Sequence, residues 1–291
     1  MILQNQPTAK ILAHSINSWG SELITFEIKC HRWILAEINT HRVFSRNWRS
    51  SRAVPFERLL AEVREYPARP IVWMKNKPGM QASEPMSSLE QLHAEKQWLL
   101  AAKSAADAAE DLAFMSDIHK QWVNRILEPY LFVTGVISST EWDNFYALRR
   151  HKDAQPEFKA LADVMWQVHR ASVPVKLLPN SWHLPYITAY DRVFNHPADL
   201  RRISVARVAR ASYKPFDGNA DYASEFARHD KLLTNKHMSP FEHQAREMFN
   251  EIVEMVDDDP LKASNFHYSW VQYRKLIPNE NIASYTTEYD V

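Results

Sequence analysis

The alternation of apolar and polar residues along the chain predicts a mixture of strands and helices. Residues 22–29 alternate in this way and indicate a strand, while residues 130–138 form an apolar run of strand length. A capping box from Ser87 to Glu90 predicts the start of a long helix over about 88–114. Helical patterns also occur at 56–66, 117–127, 140–151, 156–171 and 222–236.

The last third of the chain has a less regular pattern. Residues 203–213 fit either a helix or a strand with basic positions, and residues 265–276 resemble a strand. Residues 67–86, which include four prolines, are expected to form a long ordered loop or a lid, and residues 173–200, also with four prolines, are expected to form a crossing loop. Because several helices accompany each strand, the predicted fold class is α+β.

Glycine is scarce in this chain. Its 291 residues include four glycines (Gly20, Gly79, Gly135 and Gly218), where average usage predicts roughly twenty. This scarcity excludes a G-x-G-x-x-G dinucleotide fingerprint and a G-x-x-x-x-G-K-[ST] phosphate loop. Side chains or helix ends must therefore hold the phosphates of any bound nucleotide.

The balance of charge gives no global attraction to nucleic acid or to a membrane, because Lys+Arg and Asp+Glu both number 35. No apolar stretch has the length of a signal peptide or of a membrane span. Cys30 is the single cysteine, which excludes an internal disulfide and a cysteine-rich zinc site. We expect a cytoplasmic location without membrane association.

The densest chemical signal is the run from His41 to Arg52, HRVFSRNWRSSR, with four arginines and no acid. The planar arginine fork binds phosphate in a bidentate manner, and serine hydroxyls complete such a cradle without glycine. The run also fits a solvated basic face, or nucleic-acid binding through arginines interleaved with Phe44 and Trp48. The neutral total charge argues against nucleic acid.

Signals for a metal site or a catalytic nucleophile are weak. Thirteen histidines occur without an H-E-x-x-H pair or a matching carboxylate spacing, so no metal is predicted. No G-x-S-x-G motif is present, and Cys30, at the end of an apolar strand, is interpreted as a structural thiol. The ten tryptophans fit either a large aromatic core or a site that stacks flat rings.

Several spaced motifs together resemble the flavin-dependent thymidylate synthases. His41-Arg42, followed after seven residues by Ser50 and then by Arg52, matches most of the R-H-R-x7-S-x-R signature of that family. The likeness extends over about 22–275 of the chain. Its other motifs are HKQWVNRILEPY (119–130), TEWDNFYALR (140–149), DAQPE (153–157), ARASY (209–213) and SPFEH (239–243).

The chain also departs from the family pattern. Thr40 stands where the signature has its first arginine, and Trp48 stands where the family usually has a glutamate. The ARASY and SPFEH segments come late in the chain, whereas the usual order places them before the R-H-R motif. The chain thus resembles a long phage-type and bacterial branch. We expect one domain over 1–291, with core motifs at 22–157 and a transposed flavin-site segment at about 201–275.

The resemblance implies a fold, an assembly and a reaction. The fold is a twisted antiparallel sheet flanked by helices, and the assembly is a homotetramer with FAD at subunit interfaces. The reaction transfers a one-carbon unit from 5,10-methylenetetrahydrofolate to C5 of dUMP, giving dTMP, while NADPH reduces the flavin. The implied partner is a pyrimidine deoxynucleotide, with no nucleic acid bound. For a phage-encoded chain, the location would be the host cytoplasm.

The resemblance also implies roles for individual residues. Arg149 and Ser50 are the expected catalytic residues, and the Arg149 cation would stabilise negative charge on the uracil. The expected substrate contacts are Trp48, Ser50, Arg52, Arg125 and Arg149. The expected flavin contacts are His41, Arg42, Val43, Asn144, Leu148, Asp153, Ser212, Ser239 and Glu242.

Two other functions stay open from the sequence. Trp48 in place of glutamate changes the polarity near the substrate, which motivates a flavin-dependent hydroxymethylase of dUMP or dCMP. In that enzyme, water rather than hydride reaches the methylene intermediate. Thr40 motivates a non-catalytic nucleotide or nucleic-acid binder that has lost flavin, for which a strongly salt-dependent DNA affinity would be diagnostic.

Overall fold

A five-stranded sheet lies at the centre of the computed structural model, which describes residues 5–79, 82, 84–115, 117–211, 221–248 and 265–280. Its strands are β1 (Thr8–Ile16), β2 (Glu22–His31), β3 (Ser45–Trp48), β4 (Phe132–Ser139) and β5 (Val175–Lys176). They lie in the order β3-β4-β2-β1-β5. Neighbouring strands are antiparallel except for β5, which runs parallel to β1.

The hairpin between β1 and β2 is set by local sequence. Asn17 Oδ1 accepts hydrogen bonds from the backbone N–H groups of Trp19 and Ser21, at 3.1 and 3.0 Å. Gly20 takes a φ of 77°, a conformation that glycine adopts without a steric penalty because it has no Cβ. These residues together turn the chain back into β2.

Gly135 of β4 allows a close approach between strands. It pairs with Trp48 of β3, and a Cβ at this position would lie 2.1 Å from Trp48 Cε3. The missing side chain makes room for the indole ring, whose Nε1 donates a hydrogen bond to Asn39 Oδ1 at 3.1 Å. Trp48 therefore packs on the sheet at a position that only glycine permits.

One face of the central sheet is covered by α5 (Asp143–Arg149) and α6 (Pro156–Ala171). Alternate residues of β2 point to this face, as expected for a strand with a buried side. Burial raises the pKa of the Cys30 thiol, which agrees with its structural interpretation. The core on this face includes Ile24, Phe26, Ile28, Cys30, Phe145, Tyr146, Phe158, Leu161 and Met165.

Three further helices, α2 (Phe56–Glu65), α3 (Ser88–Met115) and α4 (Lys120–Leu127), share a second apolar core. The alanines in the middle of α3 are buried there, and their small side chains let the helices approach closely. The short α1 (Leu35–Ile38) follows β2. Within the described parts of the chain, no helix combines the length and the apolar character that crossing a bilayer requires.

The last third of the chain covers the opposite face of the sheet. Val136 of β4 packs there with Tyr186, Val208 and Ala211, and Asn47 Nδ2 donates to the Val208 carbonyl at 2.7 Å. The elements of this layer are β6 (Trp182–His183), α7 (Ala189–Phe194), α8 (Pro197–Arg210), α9 (Tyr222–Thr234), β7 (Ala245–Glu247) and β8 (Trp270–Gln272). Its three strands form a second sheet in the order β6-β7-β8.

A chain of buried polar side chains joins the two sheets. Ser138 Oγ lies 2.8 Å from His243 Nδ1 and 2.6 Å from Thr25 Oγ1. Thr25 Oγ1 in turn lies 2.8 Å from His183 Nε2, and His183 Nδ1 lies 2.9 Å from Ser15 Oγ. Burial lowers the pKa of His183 and of His243 to about 3, so both rings are neutral at pH 7.

The structure confirms the α+β class and most of the elements expected from the sequence. Residues 203–210 belong to α8 and Ala211 lies in the turn after it, which resolves the ambiguity between helix and strand for the described part of 203–213. Residues 173–200, expected to be a loop, contain β5, β6 and α7. A capping box between Thr188 and Asp191 starts α7. The sequence pattern also did not indicate β1.

Candidate functional site

An open cleft of about 1350 Å³ lies where the end of α5 meets the start of α6 and the proline-rich loop before α3. Three of the expected site residues, Leu148, Arg149 and Asp153, line this one cleft. Its wall combines aromatic and charged side chains. Other lining residues are Trp33, Glu37, Trp73, Trp98, His151, Gln155 and Glu157.

Arg149 is held in a fixed position at the edge of the cleft. Its Nε donates a hydrogen bond to His41 Nε2 at 3.0 Å, and its Nη1 forms an ion pair with Glu37 Oε2 at 2.9 Å. Its Cζ lies 4.3 Å from the centre of the Phe158 ring, within cation–π range. The side chain keeps 20% of its surface exposed, so the cation remains accessible from the cleft.

His41 supports Arg149 as a neutral ring. It is buried and stacks on Phe44 with ring centroids 5.5 Å apart. Burial lowers its pKa to about 4, helped by the positive charges of Arg149 and Arg46. The unprotonated Nε2 can therefore accept the hydrogen bond from Arg149 at any pH near neutrality.

Aromatic rings form the wall of the cleft around Trp98. The Trp98 ring centre lies 5.7 Å from that of Trp33, 5.9 Å from that of Trp73 and 5.5 Å from that of Tyr130. All three contacts are edge-to-face, a favourable arrangement for aromatic pairs. Trp98 Nε1 donates to the Ala68 carbonyl at 2.9 Å, which fixes the central ring.

Two of the four arginines in the 41–52 run serve the fold. Arg46 Nη1 donates to the backbone oxygens of Asn39 and His41, at 2.7 and 3.2 Å. Arg49 makes two bonds to the Glu62 carboxylate of α2, at 3.0 and 2.7 Å. The run is therefore not a continuous solvated basic face. Its exposed polar members are Arg42, Ser50 and Arg52.

The expected substrate contacts Ser50 and Arg52 flank Ser51, which binds the same Glu128 carboxylate as the expected contact Arg125. Glu128 accepts a hydrogen bond from Ser51 Oγ at 2.5 Å and pairs with Arg32 at 2.8 Å and Arg125 at 3.0 Å. Burial alone would raise the pKa of Glu128, but the Ser51 hydroxyl and the two guanidinium groups lower it overall. The carboxylate thus ties the 50–52 segment to the end of α4.

The expected substrate contacts form two sets within one chain. One set is 50–52 with Arg125, and the other is Arg149 with its partners His41 and Glu37. Across the residues that the structure describes, no hydrogen bond or ion pair links the two sets. Trp48 belongs to neither set, because its ring occupies the space over β4.

Several expected flavin contacts face solvent. Val43 and Leu148 are 41% and 53% exposed although both are apolar, and Arg42 and Asn144 are exposed as well. Ser139 Oγ at the end of β4 lies 3.4 Å from the Val43 carbonyl oxygen and 3.2 Å from that of Glu141. Exposed apolar side chains beside a cation form a surface that suits a flat anionic ligand.

The SPFEH segment, 239–243, docks against β3. Gln272 Nε2 donates both to Ser45 Oγ at 2.8 Å and to the Glu242 carbonyl at 2.9 Å, so it bridges the two segments. Ser239 is exposed and Glu242 is half-buried. These two expected flavin contacts therefore lie beside the 41–52 run despite their distance in sequence. Ser212 lies outside the described residues.

Sequence reasoning missed the partners that surround Arg149. Glu37 is the only acid between His31 and Arg52, and this isolation beside a basic run was a usable signal. The three cleft tryptophans come from separate segments of the chain. No local spacing relates them, so only the tertiary fold brings their rings together.

Comparisons with known proteins give one match at the level of families. The family model described as thymidylate synthase complementing protein, Thy1, matches residues 21–175, more than half of the 291 residues. A search of curated proteins finds no match.

Similar solved structures include two complexes of a UMP/dUMP methylase, PolB, from Streptomyces cacaoi. The complex with 5-Br dUMP is 14% identical with a TM-score of 0.48, covering 57% of this chain and 91% of that one. The complex with 5-Br UMP is 14% identical with a TM-score of 0.46, covering 57% of this chain and 90% of that one. Thymidylate synthase X (ThyX) from Helicobacter pylori, solved with FAD and dUMP, is 21% identical with a TM-score of 0.34, covering 50% of this chain and 67% of that one.

Proposed function

Because the chain belongs to the thymidylate synthase complementing protein family, we propose that it modifies dUMP at C5. In this proposal a one-carbon unit passes from methylenetetrahydrofolate to dUMP, and reduction by FADH2 gives dTMP. The enzyme would be a flavin-dependent methyltransferase of dTMP biosynthesis. The observation that carries the proposal is the Arg149 cation, fixed at the edge of the aromatic cleft.

The fixed cation suits the electronic demand of the reaction. When C5 of a uracil ring attacks an electrophile, negative charge moves onto the ring carbonyl oxygens. Arg149 is already oriented by His41, Glu37 and Phe158, so it can stabilise this charge with little reorganisation. The partly exposed Glu37 carboxylate neutralises the cation until substrate binds.

The position of Cys30 supports a route without covalent attack by a thiolate on C6. It is the single cysteine of the chain, it lies in the core under α5 and α6, and burial raises its pKa. A buried neutral thiol is a poor nucleophile because the thiolate is the reactive form. Activation of the uracil then rests on the electrostatic effect of Arg149.

The exposed surface made by 41–43 and α5 fits FAD by its chemistry. Val43 and Leu148 offer apolar contacts to a flat ring, Asn144 offers an amide for its polar edge, and Arg42 offers a charge for a pyrophosphate. When bound and reduced by NADPH, the flavin supplies the hydride that completes the methyl group. The other proposed flavin contacts are His41, Asp153, Ser212, Ser239 and Glu242.

The nucleotide phosphate is assigned in this proposal to the set at 50–52 with Arg125. Ser50 and Arg52 are exposed, and Arg125 keeps 52% of its side chain exposed beside Glu128. Within one chain, no hydrogen bond or ion pair joins this set to Arg149 in the described residues. In the proposed homotetramer, a complete site combines the two sets from different copies.

The visible spectrum and the product mass test the proposal. Purified protein is expected to be yellow with a flavin absorption spectrum. After incubation with dUMP, methylenetetrahydrofolate and NADPH, the product should have the mass and chromatographic retention of dTMP. A colourless protein that takes up no added FAD and leaves dUMP unchanged would refute the assignment.

A second candidate reaction uses the same site but gives a different product. Trp48 is engaged over Gly135 and brings an indole where the family usually has a carboxylate. The missing carboxylate motivates a flavin-dependent hydroxymethylase of dUMP or dCMP, whose product would be a 5-hydroxymethyl nucleotide, although the Trp48 ring itself packs on β4 outside both sets of expected substrate contacts. Parallel incubations with dUMP and dCMP, read by mass spectrometry, separate the two reactions.

A further inference from the structure

Two histidines and one glutamate converge away from the cleft, where the end of α6 packs on the β1–β2 hairpin. His14 comes from β1, Glu22 from β2 and His169 from the last turn of α6. One side-chain atom of each lies within 4.8 Å of those of the other two. Glu22 Oε2 lies 3.1 Å from His14 Nε2 and 3.9 Å from His169 Nε2.

The second nitrogen of each histidine ring is already engaged. His14 Nδ1 lies 2.9 Å from Ser172 Oγ, and His169 Nδ1 lies 3.1 Å from Tyr146 OH. Outer hydrogen bonds of this kind fix the tautomer and the orientation of histidines that bind metals. With a proton on each Nδ1, the lone pairs of both Nε2 atoms are available on the side of Glu22.

Two imidazoles and a carboxylate are donors that zinc-class ions prefer. Ligands about 2.1 Å from a tetrahedral ion lie about 3.4 Å apart. The observed separations from Glu22, 3.1 and 3.9 Å, therefore need only small side-chain rotations to accept an ion. The Glu22 side chain is 42% exposed, which leaves a path for the ion and room for a water ligand.

We propose that His14, Glu22 and His169 form a binding site for a divalent transition-metal ion. The ion would tie the end of α6 to the β1–β2 hairpin. The sequence predicted no metal because the three residues are spread from position 14 to position 169. The proposal is independent of the flavin and of dUMP, since none of the three residues lines the cleft.

Metal binding to the 291-residue protein without a polyhistidine tag tests the site. After treatment with a chelator, the protein is titrated with Zn²⁺ against a chromophoric competitor and, separately, with Co²⁺, whose visible absorption reports its coordination geometry. One ion should bind per chain, and Zn²⁺ should raise the melting temperature. Glu22→Gln and His169→Gln should each weaken binding at least tenfold.

His93→Gln is the matched control, because His93 is an exposed histidine of α3. Its affinity for Zn²⁺ should equal that of the original protein. The proposal would be overturned by less than half an ion bound per chain. It would also be overturned if folded Glu22→Gln and His169→Gln bind Zn²⁺ as tightly as the original, since Glu22 would then serve only as an ion-pair partner of His14.

Discussion

At the scale of single residues, Arg149 and Arg150 are adjacent but have different surroundings. Each pairs with an acid, Glu37 or Asp163, at 2.9 and 2.8 Å, and each lies over an aromatic ring. Only Arg149 lines the cleft. The two arginines thus provide a natural comparison between a cation available for chemistry and one committed to packing.

Replacement of Arg149 by alanine is expected to lower kcat for dTMP formation by about 100-fold or more, the usual loss when one fixed charge stabiliser is removed. Arg150→Ala is the control and should keep most of the turnover. Melting curves of both variants accompany the kinetics. If Arg149→Ala unfolds at a much lower temperature than Arg150→Ala, the role of Arg149 is structural, and the proposed catalytic role is contradicted.

Gly135 offers a test of packing. Gly135→Ala would place a methyl group 2.1 Å from Trp48 Cε3, and relief requires a shift of the indole or of the strand. Overpacking of this kind costs about 1–3 kcal/mol of the free energy of unfolding, which urea denaturation measures. Combining it with Trp48→Ala removes the clash. The double variant should therefore lose less free energy of unfolding than the two single variants lose in sum. Additive losses would contradict the contact.

At the scale of elements, the predictable ones are those whose pattern is regular. The long α3 has a capping box and the middle of β4 is apolar, and both were evident from sequence. The sequence pattern did not predict β1, because its register shifts between Ile11 and Ala13 and this breaks the two-residue period. In α7 a Thr188–Asp191 capping box was present in the sequence, but prolines nearby suggested a loop.

The buried histidines between the two sheets predict a loss of stability in mild acid. Burial holds the pKa of His183 and His243 near 3, whereas an unfolded histidine titrates near 6.5. Between these values the unfolded chain binds more protons, so stability is full above about pH 6.5 and falls as the pH decreases toward 3. From pH 7 to pH 5, each buried histidine accounts for about 2 kcal/mol of lost unfolding free energy.

Urea denaturation at pH 7 and pH 5 measures this loss. His183→Gln retains an amide for hydrogen bonding but does not titrate, so its stability should depend less on pH than that of the original protein. The exposed His93→Gln should leave the dependence unchanged. Equal stability of the original protein at the two pH values would contradict the low pKa values of these two rings.

At the scale of the whole molecule, the proposed site is expected to be shared between copies of the chain. The set at 50–52 and the set around Arg149 are unconnected within the described part of one chain. The sequence motifs predicted which residues take part in the proposed reaction. They could not indicate that Arg46 and Arg49 are used internally, or that Glu37 and three tryptophans surround Arg149, because those relations arise only from folding.

Subunit mixing tests the shared site. Arg52→Ala and Arg149→Ala proteins should each be nearly inactive in dTMP formation. Co-refolding them should restore part of the activity, because some sites then receive both intact sets from different chains. A mixture of Arg149→Ala with the double variant Arg52→Ala/Arg149→Ala contains no intact site and serves as the control. Absence of recovery in the first mixture would place both sets on one chain.

The bridge from Gln272 to Ser45 and Glu242 has a consequence for the order of events during synthesis. It joins Gln272 to a residue 227 positions earlier, and contacts over such separations form late because a long loop must close. The segments from 41 to 157 leave the ribosome well before β8 does. The nascent protein should therefore acquire its helical core early, and the part of the proposed flavin surface that Ser239 and Glu242 contribute only after β8 has been made.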